Sequence, residues 1–102
     1  MNSCYRFDLK EYQSGIFDDS VDATYIIYTE PNKERYENIV NQLDRIKPTK
    51  KVYILINRGW RNSKKPAYIT DTTKDLVDCN IHIFKHAKAK NYNNILMVLG
   101  VL

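Results

Sequence analysis

Three polar groups in this chain have the residue types to hold a phosphorylated ligand. The first is Thr29, Glu30, Asn32 and Arg35; the second is Asn57, Arg58, Trp60, Arg61, Lys64 and Lys65; the third is Thr72, Thr73, Asp75 and Asp78. Together they mix hydroxyls, amides, acids and bases, and two of them open helical patterns, where backbone N–H groups favour anions. Trp60, between Arg58 and Arg61, can stack on a base or close its loop against a sheet, and both readings stand.

Other chemistries have little to build on. The chain contains no GxGxxG, GxxxxGK[ST] or GxSxG segment, so dinucleotide, P-loop and hydrolase-elbow readings have no basis. Asp78, His82 and His86 recur every four residues and suit a metal face, but a further ligand would have to come from elsewhere. The expected reading is the solvated polar side of a helix, opposite Leu76 and Ile83. Cys79 reads as a small helix residue beside the core. Asn80 falls within the apolar face, so burial and structural hydrogen bonds are expected of it.

The elements that must position these groups follow from periodicity. Ala23–Thr29 (ATYIIYT) is short, β-branched and aromatic, as a strand should be. Pro31 can open a helix, in which Tyr36, Ile39, Val40, Leu43 and Ile46 form one apolar face ending near Lys47, before Pro48. Lys51–Ile56 (KVYILI) reads as a second buried strand. A second helix is expected from Thr72 or Thr73 to about Lys90, with Leu76, Ile83 and Ala87 inward and Val77 and Phe84 on the flank. Asn91 and Asn93 break it before a final apolar strand beginning at Ile95. Residues 1–20 show no sustained pattern and are expected to form an arm with a helical turn near Leu9–Tyr12; residues 21–102 form the domain.

The order β-α-β-α-β, with strands too apolar to leave a face in water, predicts an α/β fold: a partial Rossmann-like parallel sheet of three strands with right-handed crossovers. Such a sheet gathers strand C-termini and helix N-termini at one rim, where ligands of open α/β sheets bind. All three polar groups fall on that rim. The last strand is an apolar edge, which predicts self-association through it unless more chain or a partner pairs there.

Composition sets the class. The 43% hydrophobic and 27% charged fractions are those of a globular chain. No apolar stretch reaches a membrane span, and the N-terminus lacks the apolar core of a secretory signal, so no membrane partner is expected. Two cysteines without metal or disulfide spacing predict reduced thiols and an intracellular, cytoplasmic setting. The net charge of +4 is unevenly spread: nine acids and four bases in residues 1–44, three acids and twelve bases in 45–102. Arg45 to Lys65 holds eight bases and no acid, which offers an alternative reading as a small basic module for nucleic acid or a protein partner. Sparse aromatic interleaving ranks nucleic acid below the phosphorylated ligand.

The segment DLVDCNIHIFKHAKAKNYNNILMVL resembles the end of the nucleotide-binding half of family 25 glycosyltransferases, the lipooligosaccharide and collagen galactosyltransferase-like enzymes with relatives in large DNA viruses. DATYIIYTEPNKERYENIVNQL is similar to that family's first strand and helix, and VYILINRG to its second strand. The resemblance implies a GT-A fold that binds a nucleotide-sugar. By position, Thr29, Glu30 and Arg35 would approach the base or ribose, Asn57 and Arg58 would border the cleft, and Asp75 and Asp78 would approach the sugar. In the family an acidic motif that holds a divalent cation such as manganese follows the last of these strands. Here Gly100, Val101 and Leu102 stand at those positions. The expectation is therefore a truncated, glycosyltransferase-like domain with no bound cofactor and no catalytic residues, inactive alone, and binding nucleotide or nucleotide-sugar weakly.

Overall fold

The computed structural model describes residues 5–29, 33–58, 65 and 67–99. Its elements are β1 (Tyr5–Glu11), β2 (Ala23–Thr29), α1 (Lys33–Ile46), β3 (Lys51–Asn57), α2 (Thr72–Ala89) and β4 (Ile95–Leu99). The expected β-α-β-α-β order is present as β2 through β4. β2 pairs in parallel with β3 on one side and with β4 on the other.

Two expectations are corrected by β1. The N-terminal segment is a strand where a helical turn was expected, and the sheet is mixed, with four strands in the order β1-β3-β2-β4. β1 runs antiparallel to β3, from Tyr5 opposite Asn57 to Glu11 opposite Lys51. The direction has a simple cause. Residues 12–22 lead from the end of β1 to the start of β2 at the same sheet end, with no crossover helix, so β1 must point the other way. Tyr5, Phe7 and Leu9 alternate with Arg6, Asp8 and Lys10, the period of a half-buried strand.

Strand order reverses at β2, so the two crossovers put α1 and α2 on opposite faces. Ile39 and Leu43 of α1 pack on Ile26, Tyr28, Val52, Ile54 and Ile56. Cys79, Ile83 and Ala87 of α2 pack on Ala23, Tyr25, Ile27, Tyr53 and Leu55. α1 stops as expected: Lys47 takes a left-handed φ of 49° just before Pro48. Ile46, expected on the buried face, is exposed. Asp71, rather than Thr72 or Thr73, caps α2, its Oδ1 accepting from the Lys74 N–H at 2.8 Å.

α2 is rotated from the expected orientation. Its core side carries Asp75, Asp78, Cys79, Ile83 and Ala87, while Leu76, Val77, Ile81 and Phe84 face outward. β1 is the reason, since it offers aromatic partners to the helix's polar flank. The Tyr5 ring lies 4.2 Å from His82 and Phe7 stacks 4.2 Å from His86. His86 Nδ1 also meets the Tyr25 hydroxyl at 2.6 Å. The helix side expected in solvent is thus partly covered, with Asp78 buried and the His82 side chain still 42% exposed. Asn80 is partly exposed, and its buried Oδ1 has no hydrogen-bond partner among the described residues.

The sheet end opposite the rim is fastened by backbone contacts. Tyr12, Ile16 and Phe17 donate their N–H groups to the carbonyls of Lys50, Lys47 and Pro48 at 2.8–3.0 Å. Gly15 is required for this approach, because a Cβ there would lie 2.2 Å from Thr49 Cα. Asp22 Oδ2 accepts from Asn93 and Asn94 N–H, tying the start of β4 beside β2.

Two outcomes follow from this packing. Gly15→Ala is expected to lower stability by about 2 kcal/mol, because the methyl meets backbone rather than a side chain that can swing away; the check is a lower urea midpoint at unchanged slope. Burial, helped by Lys90, holds the His86 imidazole below its ordinary value. The unfolded chain therefore takes up the proton first as pH falls, so stability is level above about pH 6.5 and declines below it. Urea midpoints at pH 7.5 and 5 measure the decline, and His86→Gln is expected to lessen it.

Candidate functional site

The rim at the C-terminal ends of β2 and β3 has two different sides. On the α2 side lies a buried polar cluster. Lys65, from the segment joining β3 to α2, has a side chain only 2% exposed and forms an ion pair with Asp75. Its ammonium also donates to Asn57 Oδ1 at 2.7 Å and to the Tyr5 hydroxyl at 2.8 Å, and it lies 4.3 Å above the Tyr5 ring. The three N–H bonds of the ammonium are thereby all used. Asn57 Nδ2 donates to the second Asp75 oxygen at 2.8 Å. The Tyr5 hydroxyl donates onward to Asp78, whose other oxygen accepts from Tyr68 at 3.3 Å.

The cluster keeps Tyr5 and the neighbouring Cys79 protonated. Burial and the bond to Asp78 push the Tyr5 phenol far above its ordinary value. Burial also pushes the Cys79 thiol up to about 11, with Lys65 pulling the other way. A thiol so disposed stays protonated at neutral pH and is a poor nucleophile.

On the α1 side the rim is open. A cleft of about 290 Å³ is lined by Arg6 and Asp8 of β1, Tyr28 and Ile56 at the strand ends, and Lys33, Tyr36 and Glu37 in the first turns of α1. The Tyr36 hydroxyl donates to Asp8 Oδ2 at 2.9 Å, and its ring lies 5.1 Å from that of Tyr28 at an angle of 59°. Burial and Asp8 push the Tyr36 phenol up to about 12. An aromatic floor, two cations, two carboxylates and the first turns of α1 thus meet at one sheet edge, with Arg6 Nε 3.4 Å from Asp8 Oδ1.

The residues expected at the site are distributed between these sides. Asn57, Asp75 and Asp78 converge, but they turn inward and bond to Lys65 and Tyr5. Thr29 stands opposite Asn57 in the β2–β3 register, and its residue is exposed. Arg58 is exposed just past β3; Arg35 is exposed on α1, across the sheet from Asp75. Both arginines already hold partners. Glu30, Asn32, Trp60, Arg61 and Lys64 lie outside the described residues.

Sequence reasoning missed Tyr5, Arg6, Asp8 and Tyr36 as rim residues and did not foresee burial of Lys65. The alternation in YRFDLKE was the available signal for β1. The Asp78–His82–His86 row is divided: His82 Nε2 lies 3.8 Å from Asp78, and His86 is engaged with Tyr25 and Phe7. Among the described residues, no three His, Cys, Asp or Glu side chains form a ligand set.

The basic run from Arg45 to Lys65 does not make one surface among the described residues. Arg45, Lys47, Lys50 and Lys51 lie at one end of β3, and Arg58 lies at the other, roughly 20 Å away at about 3.3 Å per residue. Lys65 is buried against Asp75. No described helix is long and apolar enough to cross a membrane. No protein-family model, curated protein or solved structure matches this chain.

Removing the buried cation tests the cluster. Lys65→Met leaves the Asp75 carboxylate buried without a counter-charge and is expected to cost about 3–5 kcal/mol. The double variant Lys65→Met with Asp75→Asn removes both charges and is expected to recover a large part of that loss, read from urea unfolding.

Proposed function

We propose that this chain is a glycosyltransferase-like nucleotide-binding domain that takes a nucleotide or nucleotide-sugar weakly at the rim of β2 and β3. The observation that carries the reading is the arrangement of β2, β3 and β4. They run parallel, reverse order at β2 and carry helices on opposite faces, which is the geometry that opens a ligand crevice beyond strand C-termini.

The cleft on the α1 side fits the chemistry of such a ligand. Tyr28, Tyr36 and Ile56 supply apolar surface for a base or ribose. Lys33, beside the first turn of α1, supplies charge for a diphosphate, and Arg6 can add to it by exchanging its exposed pairing with Asp8 for the ligand. Thr29, Arg35 and Arg58 belong to the same rim. Asn57, Asp75, Lys65 and Tyr5 have a supporting role in this reading: they fix the end of β3, so that the rim is formed before a ligand arrives. The resemblance of the first strand and helix to those of nucleotide-sugar enzymes favours a nucleotide-sugar over other phosphorylated ligands. Binding, rather than turnover, is the activity proposed.

Calorimetric titration with UDP, UDP-sugars and GDP-sugars, each with and without manganese, tests the reading. Saturation in the millimolar range is expected for at least one of them. Arg6→Gln combined with Lys33→Gln should weaken it roughly tenfold, equivalent to about 1.4 kcal/mol. Absence of saturation with every compound, with the chain folded, removes the proposal.

A further inference from the structure

The rotation of α2 leaves an unusual outer surface. Val77, Ile81 and Phe84, spaced four and three residues apart, are 54%, 42% and 56% exposed. This spacing forms one row on a helix. Tyr68 beside them is 54% exposed, and Leu76 on the flank is 36% exposed. Between the helix and the Tyr68–Ile69 segment lies a hollow of about 350 Å³, with Val77 and Ile81 on its wall. A contiguous patch of this kind marks an interaction surface, whereas scattered exposed apolar residues do not.

Charge identifies the kind of occupant. Lys74 and Lys85 lie along one side of the row and Lys88 stands one turn beyond Phe84, all exposed. Of the carboxylates of α2, Asp75 is buried against Lys65, and Asp78 lines the hollow but is itself buried and taken up by the Tyr5 and Tyr68 hydroxyls, so no exposed acid of α2 offsets the lysines on its outer face. Two copies of this helix packed along the row would bring lysines together, which disfavours self-pairing. A hollow beside the row suits a side chain inserted from a partner, as in helix-in-groove recognition. A flat lipid surface inserts no such side chain.

We infer that the outer face of α2 docks an amphipathic helix whose apolar row seats along Val77, Ile81 and Phe84 and whose acidic flanks pair with Lys74, Lys85 and Lys88. The surface lies across the sheet from the rim cleft and is independent of any nucleotide bound there. Its partner is another polypeptide with the complementary pattern, leucine-like anchors at helical spacing and glutamate or aspartate beside them.

Two synthetic helical peptides with the same leucine heptads test it, one flanked by glutamate and one by lysine, each titrated into the full chain by fluorescence anisotropy. Vesicles of phosphatidylserine and phosphatidylcholine are titrated in parallel. The glutamate peptide is expected to bind in the micromolar range, at least tenfold tighter than the lysine peptide, and to weaken as salt rises. Ile81→Ser with Phe84→Ser should reduce that binding more than tenfold while the chain keeps its circular dichroism spectrum and a cooperative thermal transition. Lys85→Glu with Lys88→Glu should reverse the preference toward the lysine peptide. Equal binding of the two peptides, or binding of neither, overturns the inference. So does a preference for the vesicles over the glutamate peptide, or a dimer in sedimentation that the Ile81/Phe84 variant dissolves.

Discussion

A lysine ammonium sealed between Asp75, Asn57 and Tyr5 determines much of what is particular to this fold. Burying a charge is tolerable only when a counter-charge and full hydrogen bonding compensate for lost water. Lys65 meets both conditions by drawing on three separate parts of the chain: β1 through Tyr5, β3 through Asn57 and α2 through Asp75. Tyr5 extends the contact to Asp78 one turn further along the helix. β1, the end of β3 and the first turns of α2 are therefore positioned by one compact set of polar contacts.

The rotation of α2 belongs to the same arrangement. A helix can bury either its most apolar side or the side whose polar groups find partners. By apolar spacing alone, Leu76, Ile83 and Ala87 form the core face. With β1 in place, Asp75 and Asp78 have partners, and His82 and His86 have the rings of Tyr5 and Phe7. Ile83 and Ala87 stay buried under both orientations, whereas Leu76, Val77 and Phe84 move outward. The docking surface inferred on α2 is thus the counterpart of the polar cluster beneath it.

The rim acquires a division of labour from this geometry. Residues on the α2 side saturate one another and stiffen the edge. The α1 side, where Tyr28, Tyr36, Arg6 and Lys33 surround a cleft, retains space. Parallel strands deliver polar residues to one edge whatever their purpose, so residue type alone does not distinguish a brace from a ligand contact. Asp75 and Arg35 look equally apt in the sequence; one is buried against a lysine and the other is exposed across the sheet.

Local periodicity was enough to read β2, α1, β3, α2 and β4 and their βαβ order, because apolar spacing and the stop before Pro48 are properties of neighbouring residues. The same order determined the parallel pairings and the common rim. What only the tertiary structure decided involves residues far apart in the chain: the antiparallel β1, the rotation of α2 and the inward turn of Lys65. Tyr5 and Asp78 are separated by seventy-three positions, and a half-charged strand such as YRFDLKE gains its stability from the edge it joins. Burial of a polar side chain depends on its partner being delivered by the rest of the fold, and that delivery is a property of topology rather than of local pattern.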